Sequence, residues 1–191
     1  MKNQVYFQYL SRISLLGRVY RQLFLYPMIN SLLKGRLLDV GCGIGQMIAF
    51  RPNSVGVDVN EFNVNYCQSR GLEVYQMAFD ILPFEDASFD SILLDNVLEH
   101  IADPLPLLIE MKRVLKKDGH VVIGVPGLRG YISDADHRIF YDEARLEDLA
   151  DQLGFEVCIT TYTPLWQSVL LSQLMRQYCL YTQWKLKVAQ Q

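Results

Sequence analysis

The segment LLDVGCGIGQ, residues 37–46, decides the fold of this chain. An apolar run ends in Asp39, and Gly41, Gly43 and Gly45 then alternate before a short helical pattern begins. Glycine lets a ligand approach the backbone closely and permits positive φ. The order of strand, glycine turn and helix start is how an α/β sheet presents backbone N–H groups to a nucleotide-like ligand. The segment therefore predicts a turn that binds such a ligand.

A second apolar run follows and also ends in a carboxylate. The segment SVGVD at residues 54–58 closes with Asp58, seventeen residues beyond Gly41. Residues 37–46 resemble motif I of the class I S-adenosylmethionine (SAM)-dependent methyltransferases, in which hydrophobic residues precede Asp-x-Gly-x-Gly-x-Gly. The NAD-binding fingerprint requires Gly-x-Gly-x-x-Gly, and here the third glycine comes one residue early. The spacing favours SAM over NAD as the cofactor.

The resemblance continues in two later segments. Residues 79–84 look like the family's adenine segment, and residues 89–104 resemble its fourth-strand motif. The resemblance implies that Asp39 receives the SAM ammonium group and that Asp58 accepts both ribose hydroxyls. The full set of cofactor-binding residues that it implies is Asp39, Gly41, Cys42, Gly43, Gly45, Asp58, Val59, Asp80, Ile81, Asp95 and Asn96.

Three of these acidic residues also have a purely structural interpretation. Asp39 could accept hydrogen bonds from nearby backbone amides, and Asp80 could simply belong to a turn between strand and loop. Asp58 could be the N-cap of the following helix, although Asn60 can fill that role as well.

Two histidines are the candidate catalytic residues. His137 belongs to a segment that resembles the Asp-x-x-His segment of many small-molecule methyltransferases, and imidazole titrates near neutral pH. We interpret His137 as a general base, while a role in pinning its loop stays open. His100, on the acceptor side, is the second candidate. Quinone-precursor and small-RNA methyltransferases carry Glu-x-x-Glu-His here and can bind a divalent metal. Asn96 replaces their first carboxylate, so no metal is expected.

The body of the chain alternates between strand and helix patterns. Strands are predicted at residues 36–40, 54–58, 73–77, 88–95, 120–125 and 154–162, and helices at residues 45–50, 60–70, 104–116 and 142–153. This alternation indicates a parallel sheet with helices on both faces, whose ligands lie beyond the carboxyl ends of the strands. The predicted fold is therefore α/β and Rossmann-like, a doubly wound, mostly parallel sheet of six to seven strands with N-terminal and C-terminal helices.

One domain is predicted, with a helical cap at residues 1–34, a Rossmann-like core at 35–163 and a C-terminal helix at 164–191. Aromatic and aliphatic residues keep helical steps through residues 165–188, where this methyltransferase family usually closes its sheet with a β-hairpin. The helical cap at residues 1–34 is predicted to be an amphipathic helix that Pro27 breaks in two. It either covers the sheet and the ligand site or forms a basic, aromatic surface for lipid or a lipophilic acceptor.

Composition narrows the class of protein. The chain has 191 residues, half of them hydrophobic, which suits one domain with a full core. It contains no uncharged apolar run of 18 residues and no secretory signal pattern. The four cysteines show no metal-ligand spacing, which favours reduced thiols and a cytoplasmic location.

Charge is segregated along the chain. No acidic residue precedes Asp39 or follows Glu156, so the two ends carry +6 and +3 and the middle carries −12. Nucleic-acid binding is not expected, because no recognition motif accompanies the basic ends. The basic ends have two other possible roles. They could make weak contact with an anionic membrane surface, or the C-terminal helix could form a homodimer.

The function predicted from the sequence is SAM-dependent transfer of a methyl group to an oxygen or nitrogen atom of a small acceptor, for which a lipophilic compound is considered. One alternative is a catalytically silent, methyltransferase-like binding protein. A NAD-dependent oxidoreductase is disfavoured by the glycine spacing and by the lack of a Tyr-x-x-x-Lys pair.

Overall fold

The computed structural model of the chain describes residues 14–163 and 168–187, together with Gln4 and Phe7. In these residues seven strands form one sheet in the order β3-β2-β1-β4-β5-β7-β6. The strands are β1 Leu37–Val40, β2 Ser54–Asp58, β3 Val74–Gln76, β4 Phe89–Asp95, β5 Leu115–Pro126, β6 Phe155–Thr163 and β7 Cys179–Leu186.

Helices connect these strands. They are α1 Leu15–Tyr20, α2 Tyr26–Ser31, α3 Gln46–Phe50, α4 Glu61–Ser69, α5 Leu105–Val114, α6 Leu128–Ile132, α7 Glu143–Gln152 and α8 Val169–Leu174. A π-helical segment at Arg21–Leu25 joins α1 to α2, and a 3₁₀ turn spans Leu98–His100. None of the described helices is long and apolar enough to cross a membrane.

The predicted α/β fold is confirmed. Strands β1 to β5 pair in parallel, whereas β7 runs antiparallel to both β5 and β6. Strand β1 lies between β2 and β4, so the strand order reverses there and the turn after β1 opens at the topological switch point of the sheet. Ligands of open α/β sheets bind at this position.

The predicted helix at residues 165–188 is wrong. Residues 164–167 lie outside the described part, α8 has only six residues, and Cys179–Leu186 is β7. This strand fills the position between β5 and β6, and Tyr181 and Trp184 on it are fully buried. A strand that is buried on both faces lacks the alternation of polar and apolar residues that identifies a strand in sequence. The three-residue spacing of its aromatic side chains therefore matched the pattern of a helix. The homodimer predicted through that helix loses its structural basis.

The N-terminal region covers one face of the sheet, as one of the two interpretations predicted. Buried residues of the π-helical segment and α2, with the turn after them, pack against Leu93, Val122 and Tyr181 in one hydrophobic cluster. Pro27 lies in the first turn of α2, where a missing N–H is tolerated, so it does not separate the helices by a loop. Helical positions predicted at residues 6, 9, 10 and 13 lie outside the described residues.

Candidate functional site

The glycine turn after β1 has the backbone that the sequence predicts. Gly41, Gly43 and Gly45 have φ angles of 73°, 55° and 69°, all in the left-handed region. A Cβ atom on Gly41 would lie 2.5 Å from Val97 Cγ2, so a side chain there is excluded by both space and conformation. The N–H of Gly41 donates to the carbonyl oxygen of Val57 at 2.8 Å, which ties the turn to β2.

Asp58 organises this turn from the end of β2. Its Oδ2 accepts hydrogen bonds from the Gly43 N–H at 2.8 Å and from Asn63 Nδ2 at 3.1 Å, and its Oδ1 accepts one from the Asn60 N–H at 2.8 Å. A carboxylate has about four lone-pair sites, so capacity for a ligand hydroxyl remains. Asn60 is the N-cap of α4, because its side chain accepts from the Phe62 N–H. The contact of Asp58 with ribose stays a prediction.

Buried carboxylates meet at the carboxyl ends of β1, β2 and β4. Burial raises the pKa of Asp39 to about 8, and the nearby charges of Asp95 and Asp58 add to the effect. Burial also raises the pKa of Asp95, although Tyr181 Oη and Asn96 Nδ2 each donate a hydrogen bond to its Oδ1 at 2.8 Å. Such a cluster favours a ligand that brings positive charge.

The carboxyl ends of β1 and β4 border a cavity of about 1030 Å³, at the upper limit of the range usual for ligand sites. The predicted residues that line it are Asp39, Gly41, Cys42, Gly43, Asp95, Asn96, His100 and His137. The predicted residues that do not line it are Gly45, Asp58, Val59, Asp80 and Ile81. The volume leaves room for an acceptor beside the part of a cofactor that enters the cavity.

The predicted adenine residues Asp80 and Ile81 lie on the surface instead, and so does Val59, which was predicted to bind the cofactor. Val59 follows β2 directly, and Ile81 follows β3 through a short turn closed by a bridge between Ala78 and Ile81. The two apolar side chains are 51% and 61% exposed, and Asp80 is exposed beside Ile81. Exposed apolar side chains at neighbouring strand ends suit a flat ring, and the adenine assignment stays a prediction.

The two candidate catalytic histidines come together although they are 37 residues apart in sequence. The ring centroids of His100 and His137 are 4.7 Å apart, and His137 Nε2 is 3.8 Å from Glu99 Oε1. Glu99 is 1% exposed, and burial raises the pKa of its carboxyl group to about 8. The 3₁₀ turn after β4 positions Glu99 and His100, while the loop after α6 brings in His137.

Sequence reasoning missed several residues that line the cavity. Arg21 enters it from the π-helical segment and lies close enough to Asp95 for their charges to interact. Tyr181 also lines the cavity, and it belongs to the segment that the sequence predicts as a helix but that forms β7. The remaining missed lining residues include Tyr26, Gln46, Thr163, Arg176 and Cys179. The sequence feature that points to Arg21 is the basic N-terminal segment, which contains this residue and no acidic one.

Comparisons with known proteins agree with this geometry. Residues 38–123 match the family model described as a methyltransferase domain. An uncharacterised protein of Methanocaldococcus jannaschii is 36% identical over 92 residues, which are 48% of this chain and 45% of that protein. A ubiquinone biosynthesis O-methyltransferase of Maricaulis maris is 31% identical over 98 residues, which are 46% of this chain and 39% of that protein.

A solved structure from Thermotoga maritima, described as a SAM-dependent methyltransferase and possible histamine N-methyltransferase, superposes with a TM-score of 0.73. It is 23% identical and the match covers 90% of this chain and 92% of that one, so it bears on the fold. The match spans less than half the length of the two curated relatives named above. The match at residues 38–123 shows similarity to a methyltransferase domain, and the superposition shows similarity of fold.

Proposed function

We propose that this chain is a class I SAM-dependent methyltransferase that transfers the methyl group of SAM to an oxygen or nitrogen atom of a small acceptor. Its match to a methyltransferase-domain model and its fold support this proposal. The observation that carries the proposal is that the glycine turn, with its left-handed backbone, the buried Asp39 and the partly buried Asp95 all line one cavity. SAM brings an ammonium group and a sulfonium centre, so it would supply positive charge beside Asp39, whose raised pKa has only burial and neighbouring carboxylates as its causes.

The residues present fit this cofactor. The turn carries no side chains at Gly41, Gly43 and Gly45, so in the proposal the ligand lies against its backbone. In the proposal Asp39 takes the ammonium group, Asp95 and Asn96 hold the methionine part, and Asp58 receives the ribose. SAM supplies a methyl group already activated for transfer, so the protein's task is to align the acceptor with it and to exclude water.

His137 is the proposed base for an acceptor that must lose a proton. Its Nδ1 lies 2.8 Å from the carbonyl oxygen of Tyr131, which can only accept a hydrogen bond, so Nδ1 carries a hydrogen. In the neutral ring Nε2 therefore holds the lone pair. His137 lines the cavity, and in the proposal this nitrogen takes the proton of an acceptor hydroxyl or amine.

The test is release of S-adenosylhomocysteine from SAM in the presence of a panel of small phenols, alcohols and amines. We expect turnover with at least one acceptor class, and a lower kcat for His137→Ala with S-adenosylhomocysteine binding intact. The matched control is His120→Ala, because His120 lies on β5 and does not line the cavity. Binding of SAM without turnover across the panel would favour the silent binding protein.

A further inference from the structure

Large apolar side chains are exposed on three elements of the described chain. These elements are α1 with the π-helical segment that follows it, α6, and α8 with the residue that follows it. The exposed side chains, between 36% and 81% accessible, are Leu15, Leu16, Val19, Leu23, Phe24, Ile132, Leu170, Leu174 and Met175. Single exposed apolar residues are normal, but a concentration of them usually marks a partner or a membrane. We call these nine residues the apolar patch.

The elements of the apolar patch border the same cavity. α1 contributes Leu16 and Tyr20 to its lining, α6 contributes Gly130, and the segment after α8 contributes Arg176. α6 and that segment are also in contact, because a Cβ atom on Gly130 would lie 2.7 Å from the carbonyl oxygen of Arg176. The patch therefore gathers around the cavity, although its members are up to 160 residues apart in sequence.

Arginines accompany the apolar patch on each of its elements. Arg18 on α1, Arg129 on α6 and Arg176 after α8 are all exposed. No acidic residue occurs in residues 14–38 or 157–191, and the acidic residues nearest to α6 are Asp134 and Asp136, which follow it. Arginines beside exposed leucine and phenylalanine side chains are typical of segments that lie on a membrane surface.

Charge complementarity favours an anionic bilayer over a second copy of the chain. In a two-fold dimer the same surface meets itself, so the arginines of both copies would face one another. Anionic headgroups neutralise the arginines instead, and each arginine near such a surface strengthens binding about fivefold. A bilayer also takes up leucine and phenylalanine side chains at the boundary between headgroups and acyl chains, which a nucleic acid cannot do.

We propose that α1 with the π-helical segment, α6 and α8 form a docking surface for an anionic lipid bilayer. The side chains of the apolar patch enter the outer part of the bilayer, and Arg18, Arg129 and Arg176 contact the headgroups. The cavity that these elements border then lies at the lipid surface. Docking requires neither SAM nor an acceptor, so the inference goes beyond the proposed function and is tested apart from it.

The test is flotation of the full chain with two kinds of vesicle, one of phosphatidylcholine alone and one that also contains phosphatidylglycerol. We expect binding to the anionic vesicles that is at least about tenfold tighter than binding to the neutral ones. Binding to the anionic vesicles should weaken as the salt concentration rises, because salt screens the charges of the headgroups.

Two pairs of variants locate the docking surface. Leu170→Ser/Leu174→Ser removes two exposed leucines one helical turn apart on α8 and should weaken binding to anionic vesicles at least about tenfold. Leu105→Ser/Ile109→Ser makes the same change on α5, where both side chains are exposed outside the apolar patch, and should bind as the wild type does.

The second pair tests the arginines. Arg129→Gln should weaken binding about fivefold. Lys117→Gln, which changes an exposed cation near the start of β5, should leave it unchanged, because the cavity lies at the other end of that strand.

Urea denaturation checks the fold of each variant, and light scattering measures the mass of the chain without vesicles. Absence of wild-type binding to anionic vesicles overturns the proposal, as does equal binding by the α8 and α5 variants or equal binding to both kinds of vesicle. A wild-type dimer that Leu170→Ser/Leu174→Ser converts to a monomer would assign the surface to a second copy instead. A chain that binds anionic vesicles but never turns over SAM would contradict the proposed function and leave the docking surface standing.

Discussion

Tyr181 Oη donates a hydrogen bond to Asp95 Oδ1 over 2.8 Å, although 86 residues of chain separate them. The contact ties the antiparallel strand β7 to the site at the end of β4. It depends on Gly124 of β5, since a Cβ atom there would lie 2.3 Å from Tyr181 Cε1 and 2.5 Å from Asp95 Oδ1. The closing strand therefore takes part in the site as well as in the sheet.

Replacement of Tyr181 by phenylalanine tests this contact. One net hydrogen bond contributes about 1 kcal/mol, so we expect Tyr181→Phe to lower the unfolding free energy by about that amount. We also expect about five- to tenfold weaker binding of S-adenosylhomocysteine, because Asp95 loses a group that positions its carboxylate. Urea denaturation and calorimetry measure the two effects. Tyr66→Phe, which removes an exposed contact with Arg70, is the control, and equal losses in both variants would contradict the assignment.

The glycine turn offers a matched pair of substitutions. Gly41 and Gly71 both have φ of 73°, so alanine at either position costs about 1–2 kcal/mol of strain. Only at Gly41 would the new methyl group meet Val97, since nothing lies within 4 Å of a Cβ atom on Gly71. We expect Gly41→Ala to lose S-adenosylhomocysteine binding and Gly71→Ala to keep it, as measured by calorimetry. Retained binding in both variants would remove the turn from the site.

The raised pKa of Asp39 predicts how stability depends on pH. The folded protein holds a proton on Asp39 up to about pH 8, whereas the ordinary value is 3.8, so the folded state binds more protons between these limits. Unfolding free energy should therefore fall as pH rises from about 4 to 8, by at most about 1.4 kcal/mol per pH unit for this group.

The variant Asp39→Asn should lose that component, so its urea denaturation midpoints between pH 5 and 8 should change less than those of the wild type. Asp148→Asn changes an exposed aspartate on α7 and serves as the control. Parallel pH curves for Asp39→Asn and the wild type would show that Asp39 is not held protonated in the folded state.

Strand β7 also makes a prediction about stability. Trp184 is fully buried, donates a hydrogen bond to Thr182 Oγ1 at 2.9 Å and packs against Phe155. Trp184→Ala should cost about 3–5 kcal/mol of unfolding free energy. Leu174→Ala on α8, where the side chain is 65% exposed, should change it by no more than about 0.5 kcal/mol. A small effect of Trp184→Ala in urea denaturation would contradict the burial of this side chain in β7.

The parts of the molecule that were predictable are those with a local pattern. The glycine turn, Asp58 at the end of β2 and strands β1 to β6 follow from hydrophobic periodicity and turn chemistry. The pairing of Tyr181 with Asp95 has no local pattern, because it depends on where β7 inserts in the sheet. The buried carboxylate of Glu99 was equally hidden, since burial and the approach of His137 are properties of the folded chain.

The measurement that tests the central claim most directly is a calorimetric titration of the wild-type chain with SAM, repeated in the presence of S-adenosylhomocysteine and of NAD. We predict one SAM site per chain that S-adenosylhomocysteine blocks and NAD leaves unaffected. Absence of SAM binding, or displacement of SAM by NAD, would contradict the assignment of the cavity beside Asp39 and the glycine turn.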